Sequence, residues 1–365
     1  MDKLYLYHLS RLSRLSRLSR GCVSVQRDRF TTPSKSHIIK PMVSLTADPQ
    51  TLKARLWAKP TKTEFLALAL ALGVLAIFTN LSLRPDGWIP WDFTFYTNTA
   101  HGDFDYFFYP YWWLPLFKLW ALLPSALGYF LWGLVNIFAL WGAIRILGGN
   151  ALAAMIGYQM FYAIGYGQIV GLMVFGIALF WYALAFKRWH LAGLGLVLAA
   201  AKVQSGFLFA LFLWLLAETS WKNKVKTLVV PLAITALSLI VYPGWPLEVI
   251  ARTQTATLND LGSISLWGWL GPWGLILWLP AVLLPMSKTQ RMIALGAATA
   301  LTFPYFQQPD LLALYALPVP WLVSVLGNLG FLFISLQWEA MRFLWVVPAA
   351  AYVWVVVQAR RSTNE

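Results

Sequence analysis

The sequence predicts an all-α, polytopic transmembrane protein with about ten to twelve spans. Hydrophobic residues make up 59% of the 365 positions and charged residues only 12%, whereas soluble globular proteins have about 45–50% and about 25%. Such a chain has too little polar surface to coat a body in water. In addition, apolar runs that approach the roughly 20 residues needed to cross a bilayer recur along the chain.

The net charge of +14 is concentrated at the N-terminus: residues 1–63 carry 13 Lys and Arg against 3 acids, and the rest carries 15 against 11. We expect residues 1–63 to be a basic, largely disordered cytoplasmic tail. Its RLS repeats are typical of a transit peptide or a membrane-surface arm, or alternatively of untranslated sequence before Met42. The weakly basic remainder argues against nucleic-acid binding, and the single Cys22 excludes an intramolecular disulfide.

Residues 64–358 form the predicted transmembrane domain, and residues 359–365 a cytoplasmic tail. The first span is expected at 65–83. Several later runs are short for a full crossing, so bent or incomplete helices are expected among them. These runs are 125–147, 149–164, 168–186, 191–201, 205–217, 228–242, 266–285, 292–303 and 311–326, with two less regular ones at 331–337 and 343–357.

Charge placement predicts the orientation, because short cytoplasmic loops collect Lys and Arg. With the N-terminus inside, Arg145 and most later basic residues fall on the cytoplasmic side. The acids fall on the outer side: Asp86, Asp92, Asp103, Asp105, Glu248, Asp260 and Asp310. We therefore expect a multi-pass protein of the cell membrane, the plasma membrane of a bacterium, whose residues 84–124 form an outer loop.

This outer loop is the predicted catalytic region. It contains WIPWDFTFYTNTAHGDFDYFFYPYWW, with four carboxylates and His101 in or beside it. The apolar segment 109–123 is broken by Pro110, Pro115 and Lys118, so we interpret it as a helix in the outer interface, where Trp and Tyr are favoured. A true span there would invert every later loop.

Asp92 follows WIPW at the membrane boundary, where it has two interpretations. Desolvation would raise the pKa of a carboxyl there, and such a group can act as a general base. Alternatively, Asp92 is a helix N-cap. Asp103 and Asp105 form a DxD pair of the kind that holds a divalent metal in some transferases, but such pairs are common by chance; we predict no metal site and no dissociable cofactor. His101 is a weaker candidate for substrate contact.

Cationic and amide side chains are predicted at the same outer level. Lys202 interrupts an apolar stretch, and intramembrane charges usually face a cavity or a partner; snorkelling to the interface is the alternative. With Gln168 and Gln204 it is placed to hold an anionic headgroup such as a phosphate. Arg252 is a second candidate for that charge, although an arginine in a loop is usually only solvated.

Taken in order, WDFTFY, YPYWWLPLFKLWALLP, the outer GQ, AAAKVQSGFLF and PYFQQPDLLAL resemble glycosyltransferase family 87, integral membrane enzymes of the GT-C superfamily. The resemblance implies that Asp92 is the catalytic base, and it matches Tyr109, Gln168, Lys202 and Gln204 to family motif positions. We also expect Tyr96, Asp103, Asp105 and Asp310 among the substrate-binding residues. The sequence departs from the family pattern at three positions, where Val170, Val203 and Tyr111 stand.

The resemblance further implies an inverting transfer of a hexose, such as mannose, from a polyprenyl-phosphate donor to a glycolipid or glycan acceptor, with membrane lipids as the surroundings. Two alternatives remain open at this point. One is a transporter or flippase of lipid-linked sugars, which would use the same cationic cavity without a base. The other is an inactive relative that serves as a membrane scaffold.

Overall fold

The computed structural model describes residues 48–84, 86–104, 107–255, 263–333 and 338–361. Within these ranges the chain forms helices and no β-strand, which confirms the all-α class. Its first half contains α1 Pro49–Trp57, α2 Lys62–Ser82, α3 Trp91–Asn98, α4 Leu114–Ala121, α5 Ser125–Leu147, α6 Ala151–Met155, α7 Tyr158–Tyr166 and α8 Val170–Ala185.

The second half of the chain has more interruptions. Its helices are α9 Trp189–Ala199, α10 Leu208–Leu216, α11 Trp221–Val241, α12 Trp245–Thr255, α13 Trp267–Leu270, α14 Trp278–Leu283, α15 Lys288–Thr302, α16 Leu312–Tyr315, α17 Trp321–Gly327, α18 Gly330–Phe333 and α19 Val346–Arg361. Short 3-10 turns lie at Thr99–His101, Tyr111–Trp113, Gly271–Leu277, Gln308–Leu311 and Trp338–Trp345, and a π-helical turn at Val203–Phe207.

Helix α2 shows how the sequence forms a span. Thr61 and Glu64 close a capping box at its start, which satisfies N–H groups that have no partner within the helix. Ala67, Ala71, Leu75 and Phe78 repeat at helical spacing and are buried. Most of the other apolar side chains face outward, as expected of a helix whose solvent is lipid.

The number of spans is lower than predicted. In the described ranges four helices are long and apolar enough to cross a membrane, at Lys62–Ser82, Ser125–Leu147, Trp221–Val241 and Arg342–Arg361, and a fifth span is counted if the bent pair α6–α7 and α8 is taken as one. The multi-pass class is confirmed; by length and composition these four or five helices are fewer than the ten to twelve spans predicted, and shorter apolar helices lie at Trp189–Ala199, Val203–Leu216, Trp267–Leu283 and Trp321–Leu332. Several predicted spans are divided into short pieces, for example by Gly271, with its φ of +50°, before Pro272.

Helices α2 and α5 run antiparallel and define the two ends of the bundle. Arg145, near the end of α5, lies 3.9 Å from Glu64 at the start of α2. The same guanidinium donates to the carbonyl of Arg55 in α1, and Arg55 lines a common cavity with Lys288. One end of the bundle is therefore basic, and the segment that carries α3 and α4 lies at the other end.

The structure also bears on two segments that were not predicted to span the membrane, residues 109–123 and the N-terminal tail. Helix α4 has eight residues, too few to cross a bilayer, so the segment 109–123 is not a span, as expected. The predicted tail, residues 1–63, lies outside the described residues up to position 47. Within it the structure adds α1, whose N-cap is Asp48.

Helices α8 and α9 pack through glycines. A Cβ on Gly176 would lie 2.3 Å from the backbone nitrogen of Ala199, and one on Gly195 would lie 2.6 Å from that of Phe180. Small residues of this kind allow membrane helices to approach closely. The contact at Gly176 lies at the C-terminal end of α9, which is two residues before Ala201 and three before Lys202.

We expect Gly176→Ala to lower the free energy of unfolding by roughly 1–3 kcal/mol, because the added methyl group overpacks the contact between α8 and α9. Thermal unfolding in detergent would measure the loss. Gly73→Ala is the matched control: Gly73 lies within α2 and a Cβ there meets no atom within 4 Å. Equal unfolding temperatures for the two variants would contradict the close approach of α8 and α9.

Candidate active site

Helix α3 is the element that places Asp92. Its buried face consists of Phe93 and Tyr96, both 1% exposed, and Phe93 packs on Tyr129 of α5 with 5.9 Å between ring centroids. Asp92 precedes Phe93 and is therefore turned from α5 toward the bend between α7 and α8. The helix begins at Trp91, after Pro90 as its N-cap residue, so Asp92 does not act as the cap.

The turn from α7 into α8 brings Gln168 to this carboxylate. Gly167 ends α7 with a φ of +71°, a conformation that glycine adopts without strain. A Cβ at this position would lie 2.6 Å from the Cβ of Phe93. The chain therefore passes directly beside α3, and Gln168 Nε2 donates to Asp92 Oδ2 at 2.6 Å. Gln168 itself is only 3% exposed.

Helix α5 supports this turn. The indole N–H of Trp132 donates to the carbonyl of Gly167 at 2.8 Å, and Asn136 Oδ1 accepts from the backbone N–H of Leu172 at 3.2 Å. That N–H belongs to the first turn of α8, where no partner exists within the helix. The polar side chain of Asn136 in the middle of a spanning helix is thus explained by the start of α8.

Asp92 is packed by protein on most sides yet keeps part of its surface accessible. Burial raises the pKa of its carboxyl from the ordinary 3.8 to about 6, although the ammonium of Lys202 and the hydrogen bond from Gln168 both act to lower it. The charge of Asp310 adds to the rise. At neutral pH the group is mostly ionised and can still take up a proton, as a general base must.

Lys202 lies across from Asp92 at the break between α9 and α10. Its ammonium is buried, with 3% of the residue exposed. Lys202 Nζ donates to Asp310 Oδ1 at 2.8 Å and to Gln307 Oε1 at 3.1 Å. Asp310 is fully buried. The sequence placed Lys202 and Asp310 separately at the same end of the bundle and led us to expect a cavity or a partner for Lys202; the structure joins the two residues in an ion pair.

Tyrosines surround the carboxylate. The hydroxyls of Tyr96 and Tyr109 lie 3.0 Å apart, and Tyr96 stacks on Phe117 with centroids 4.6 Å apart. Tyr96 is 1% exposed and packs α3 on α4, and its role in substrate binding stays a prediction. Tyr109 is partly exposed; burial and the nearby Asp92 raise the pKa of its phenol, which therefore stays protonated.

Three other predicted residues stay outside the hydrogen bonds around Asp92. His101 and Asp103 are exposed on the turn that follows α3, and Gln204 lies partly buried in the π-helical turn Val203–Phe207. Asp105 lies outside the described residues, so the DxD pair is not tested. Among the described side chains no group of three or more His, Cys, Asp or Glu residues comes together.

Arg252 was expected as a loop cation for a phosphate, and the structure gives it a different environment. It lies in α12, and its guanidinium donates to Tyr111 Oη at 2.8 Å and to Glu248 Oε2 at 3.1 Å. It also donates to the carbonyl of Phe107 at 3.3 Å. The guanidinium thus ties α12 to the segment before α4. Tyr111, one of the departures from the family pattern, accepts this bond.

Tyr305 and Gln307 are site residues that the sequence reasoning missed. Both are partly exposed, and Gln307 links Lys202 to Tyr305, because its Nε2 donates to Tyr305 Oη at 2.5 Å. They belong to PYFQQPD, in which only Asp310 was singled out. The sequence signal that could have identified them is the high density of polar groups in the segment between the apolar helices α15 and α16.

We expect Gln168→Leu to raise the pKa of Asp92 above 6, because the substitution removes a hydrogen bond that stabilises the ionised carboxylate. Infrared difference titration against Asp92→Asn would measure this pKa. Gln358→Leu is the control, since Gln358 pairs with Gln290 near the capped start of α15. A pKa of Asp92 that is the same in both variants would contradict the contact between Gln168 and Asp92.

Sequence similarity to a known family covers most of the residues that form this site. The sequence model described as glycosyltransferase family 87 matches residues 107–327. The match includes Gln168, Lys202 and Asp310, while Asp92 precedes it. No curated protein and no solved structure matches the chain. Because the matched residues cover more than half of the sequence, this multi-pass membrane protein belongs to glycosyltransferase family 87.

Proposed function

We propose that the protein transfers a hexose, such as mannose, from a polyprenyl-phosphate donor to a glycolipid or glycan acceptor, with inversion at the anomeric carbon and with Asp92 as the general base. The observation that carries this proposal is the environment of Asp92. A partly accessible carboxylate accepts a hydrogen bond from Gln168 and faces the ion pair of Lys202 and Asp310. Membership of a glycosyltransferase family supports the reaction class.

Of the two carboxylates that the structure describes in the site, Asp92 is the one suited to take a proton. Asp310 is fully buried and paired with the ammonium of Lys202 at 2.8 Å, so protonation would leave a buried cation without its counter-charge. Asp92 accepts one hydrogen bond and keeps accessible surface. Its pKa of about 6 lies near working pH, where general-base catalysis is most efficient.

The proposed step is a single displacement. An oxygen of Asp92 takes the proton from the acceptor hydroxyl while the hydroxyl oxygen of the acceptor forms a bond to the anomeric carbon. The bond between this carbon and the phosphate oxygen breaks, and the polyprenyl phosphate leaves with the electron pair. The reaction needs no cofactor, but it requires donors or positive charge where the phosphate becomes more negative. Lys202 is the cation whose charge acts on Asp92.

We assign the site to the outer face of the membrane and the N-terminus to the cytoplasm. The support is the distribution of charge in the bundle: Arg55, Arg145 and Lys288 gather at one end, and cytoplasmic ends of membrane proteins collect such residues. Asp92 lies toward the other end, where α2 finishes and α5 begins. The cell membrane of a bacterium is the location that fits this orientation and a polyprenyl-phosphate donor.

We expect Asp92→Asn to lower kcat by about 10²–10⁴, the range that general-base catalysis contributes, while donor binding changes little. Transfer of radiolabelled sugar in membranes would measure the effect. Asp86→Asn is the matched control, because Asp86 is an exposed carboxylate in the same outer loop. Full turnover by Asp92→Asn would exclude Asp92 as the base and would leave a transport or scaffold role to be considered.

The pH dependence of kcat follows from the raised pKa of Asp92. A base works in its ionised form, so kcat is expected to fall as the pH drops through about 6, whereas an ordinary aspartate would remain active to near pH 4. Single-turnover rates between pH 4.5 and 8 would show this limb. An acid limb centred near 4 would contradict the desolvated position of Asp92.

A further inference from the structure

The ion pair of Lys202 and Asp310 raises a chemical question about the leaving phosphate. Within the proposed function, this phosphate needs hydrogen-bond donors. Yet the ammonium of Lys202 already donates to Asp310 Oδ1 at 2.8 Å and to Gln307 Oε1 at 3.1 Å. Asp310 Oδ2 also accepts from the backbone N–H of Gln307 at 3.4 Å. The positive charge is therefore committed to protein groups that are themselves fixed by the turn.

Gln307 determines the direction of the next hydrogen bond. An ammonium group can only donate, so the side-chain amide must present its oxygen to Lys202. Its NH₂ group then faces Tyr305, and Gln307 Nε2 donates to Tyr305 Oη at 2.5 Å. The phenol oxygen is thereby an acceptor in this chain of contacts, and its single hydrogen is left to donate elsewhere.

Tyr305 presents that hydrogen to the site. The side chain is partly exposed, and among the described residues no acceptor for it is found. Burial raises the pKa of the phenol above the ordinary 10, and the carboxylates of Asp310 and Asp92 add to the rise. Tyr305 therefore remains protonated throughout the physiological pH range and is available as a donor.

Hydrogen bonds in such a chain polarise one another. The ammonium of Lys202 draws electron density from the carbonyl of Gln307, which strengthens the amide N–H as a donor to Tyr305, and the phenol O–H becomes a stronger donor in turn. A donor of this kind favours an anionic oxygen over a neutral one. The chain thus carries the effect of a buried cation to the surface of the site.

We propose that the Tyr305 hydroxyl donates a hydrogen bond to a phosphate oxygen of the polyprenyl-phosphate donor, and that Lys202 acts on this phosphate through Gln307 and Tyr305. The inference rests on the proposed function, because it requires a phosphate as the leaving group. Tyr305 contacts substrate in this account, and Gln307 is a positioning residue that acts through Tyr305.

The first test is Tyr305→Phe in the full-length protein in detergent or nanodiscs. Removing one donor to a developing anion lowers kcat by about 10²-fold or more, and we expect a loss of that size in single-turnover transfer. Tyr182→Phe is the matched control, because Tyr182 is a partly exposed tyrosine near the far end of α8. Equal rates for the two variants would overturn the inference.

The second test distinguishes phosphate contact from a structural role. Polyprenyl-phosphate mannose in which sulfur replaces a non-bridging oxygen is a weaker acceptor, so the wild type should transfer from it more slowly, while Tyr305→Phe should treat both donors alike. Gln307→Glu should resemble Tyr305→Phe, because a carboxylate would accept the phenol hydrogen and turn it inward, and the double variant should lose little more. A sulfur effect that persists in Tyr305→Phe would overturn the inference.

Binding of product provides a readout independent of turnover. Titration with polyprenyl monophosphate should show at least about tenfold weaker binding to Tyr305→Phe than to Tyr182→Phe, and inorganic phosphate should show whether the lipid chain is needed. Unchanged affinity for the monophosphate would overturn the inference. The proposed function fails separately, if Asp92→Asn retains full transfer. Loss of transfer in Asp92→Asn together with wild-type behaviour of Tyr305→Phe would reject only the role of Tyr305.

Discussion

The buried ion pair between Lys202 and Asp310 is the interaction on which the site depends. Each partner would be costly alone in an apolar surrounding, and removing one leaves the other uncompensated. The two residues lie 108 positions apart in the chain, and both belong to segments where an apolar helix is interrupted. The pair therefore holds the break between α9 and α10 against the turn that follows α15.

Interrupted helices account for the other side of the site as well. The bend of 117° between α6–α7 and α8 exposes backbone groups that a continuous helix would satisfy internally. Trp132 and Asn136 of α5 satisfy two of them. Irregular backbone at membrane depth is tolerated where protein covers it or where it lines a cavity. The same bend delivers Gln168 to Asp92, so the feature that shortens the helices also assembles the site.

Much of this arrangement could be predicted from the sequence, because apolar length and charge placement are local properties. The predicted span 125–147 coincides with α5. The predicted helix ends also placed Asp92, Gln168 and Lys202 at the same end of the bundle. What a single sequence does not contain is which polar groups pair across the bundle. The partner of Lys202, the enclosure of Tyr96 by Phe117, and the bond from Arg252 to Tyr111 are all long-range contacts.

The number of long helices in the described ranges differs from the predicted number of spans for a related reason. A run such as 149–164 is apolar enough to be read as a span, but the chain breaks between α6 and α7, where the backbone N–H of Tyr158 donates to Asn328 Oδ1 at 3.0 Å across 170 positions of sequence. Gln307 and Tyr305 were missed because their role depends on the orientation of a neighbouring lysine. Composition therefore identifies a membrane protein, whereas the positions of the breaks in its helices follow only from the structure.

The central claim is that one accessible carboxylate, Asp92, serves as the base while Asp310 remains paired with Lys202. In the part of the chain that the structure describes, the one other carboxylate that acts on Asp92 is Asp310, which is buried and paired, and the proposed single displacement uses Asp92 alone as the base. The anomeric configuration of the product, determined by NMR from a donor of known configuration, tests this most directly. The account predicts inversion; retention of configuration would contradict it.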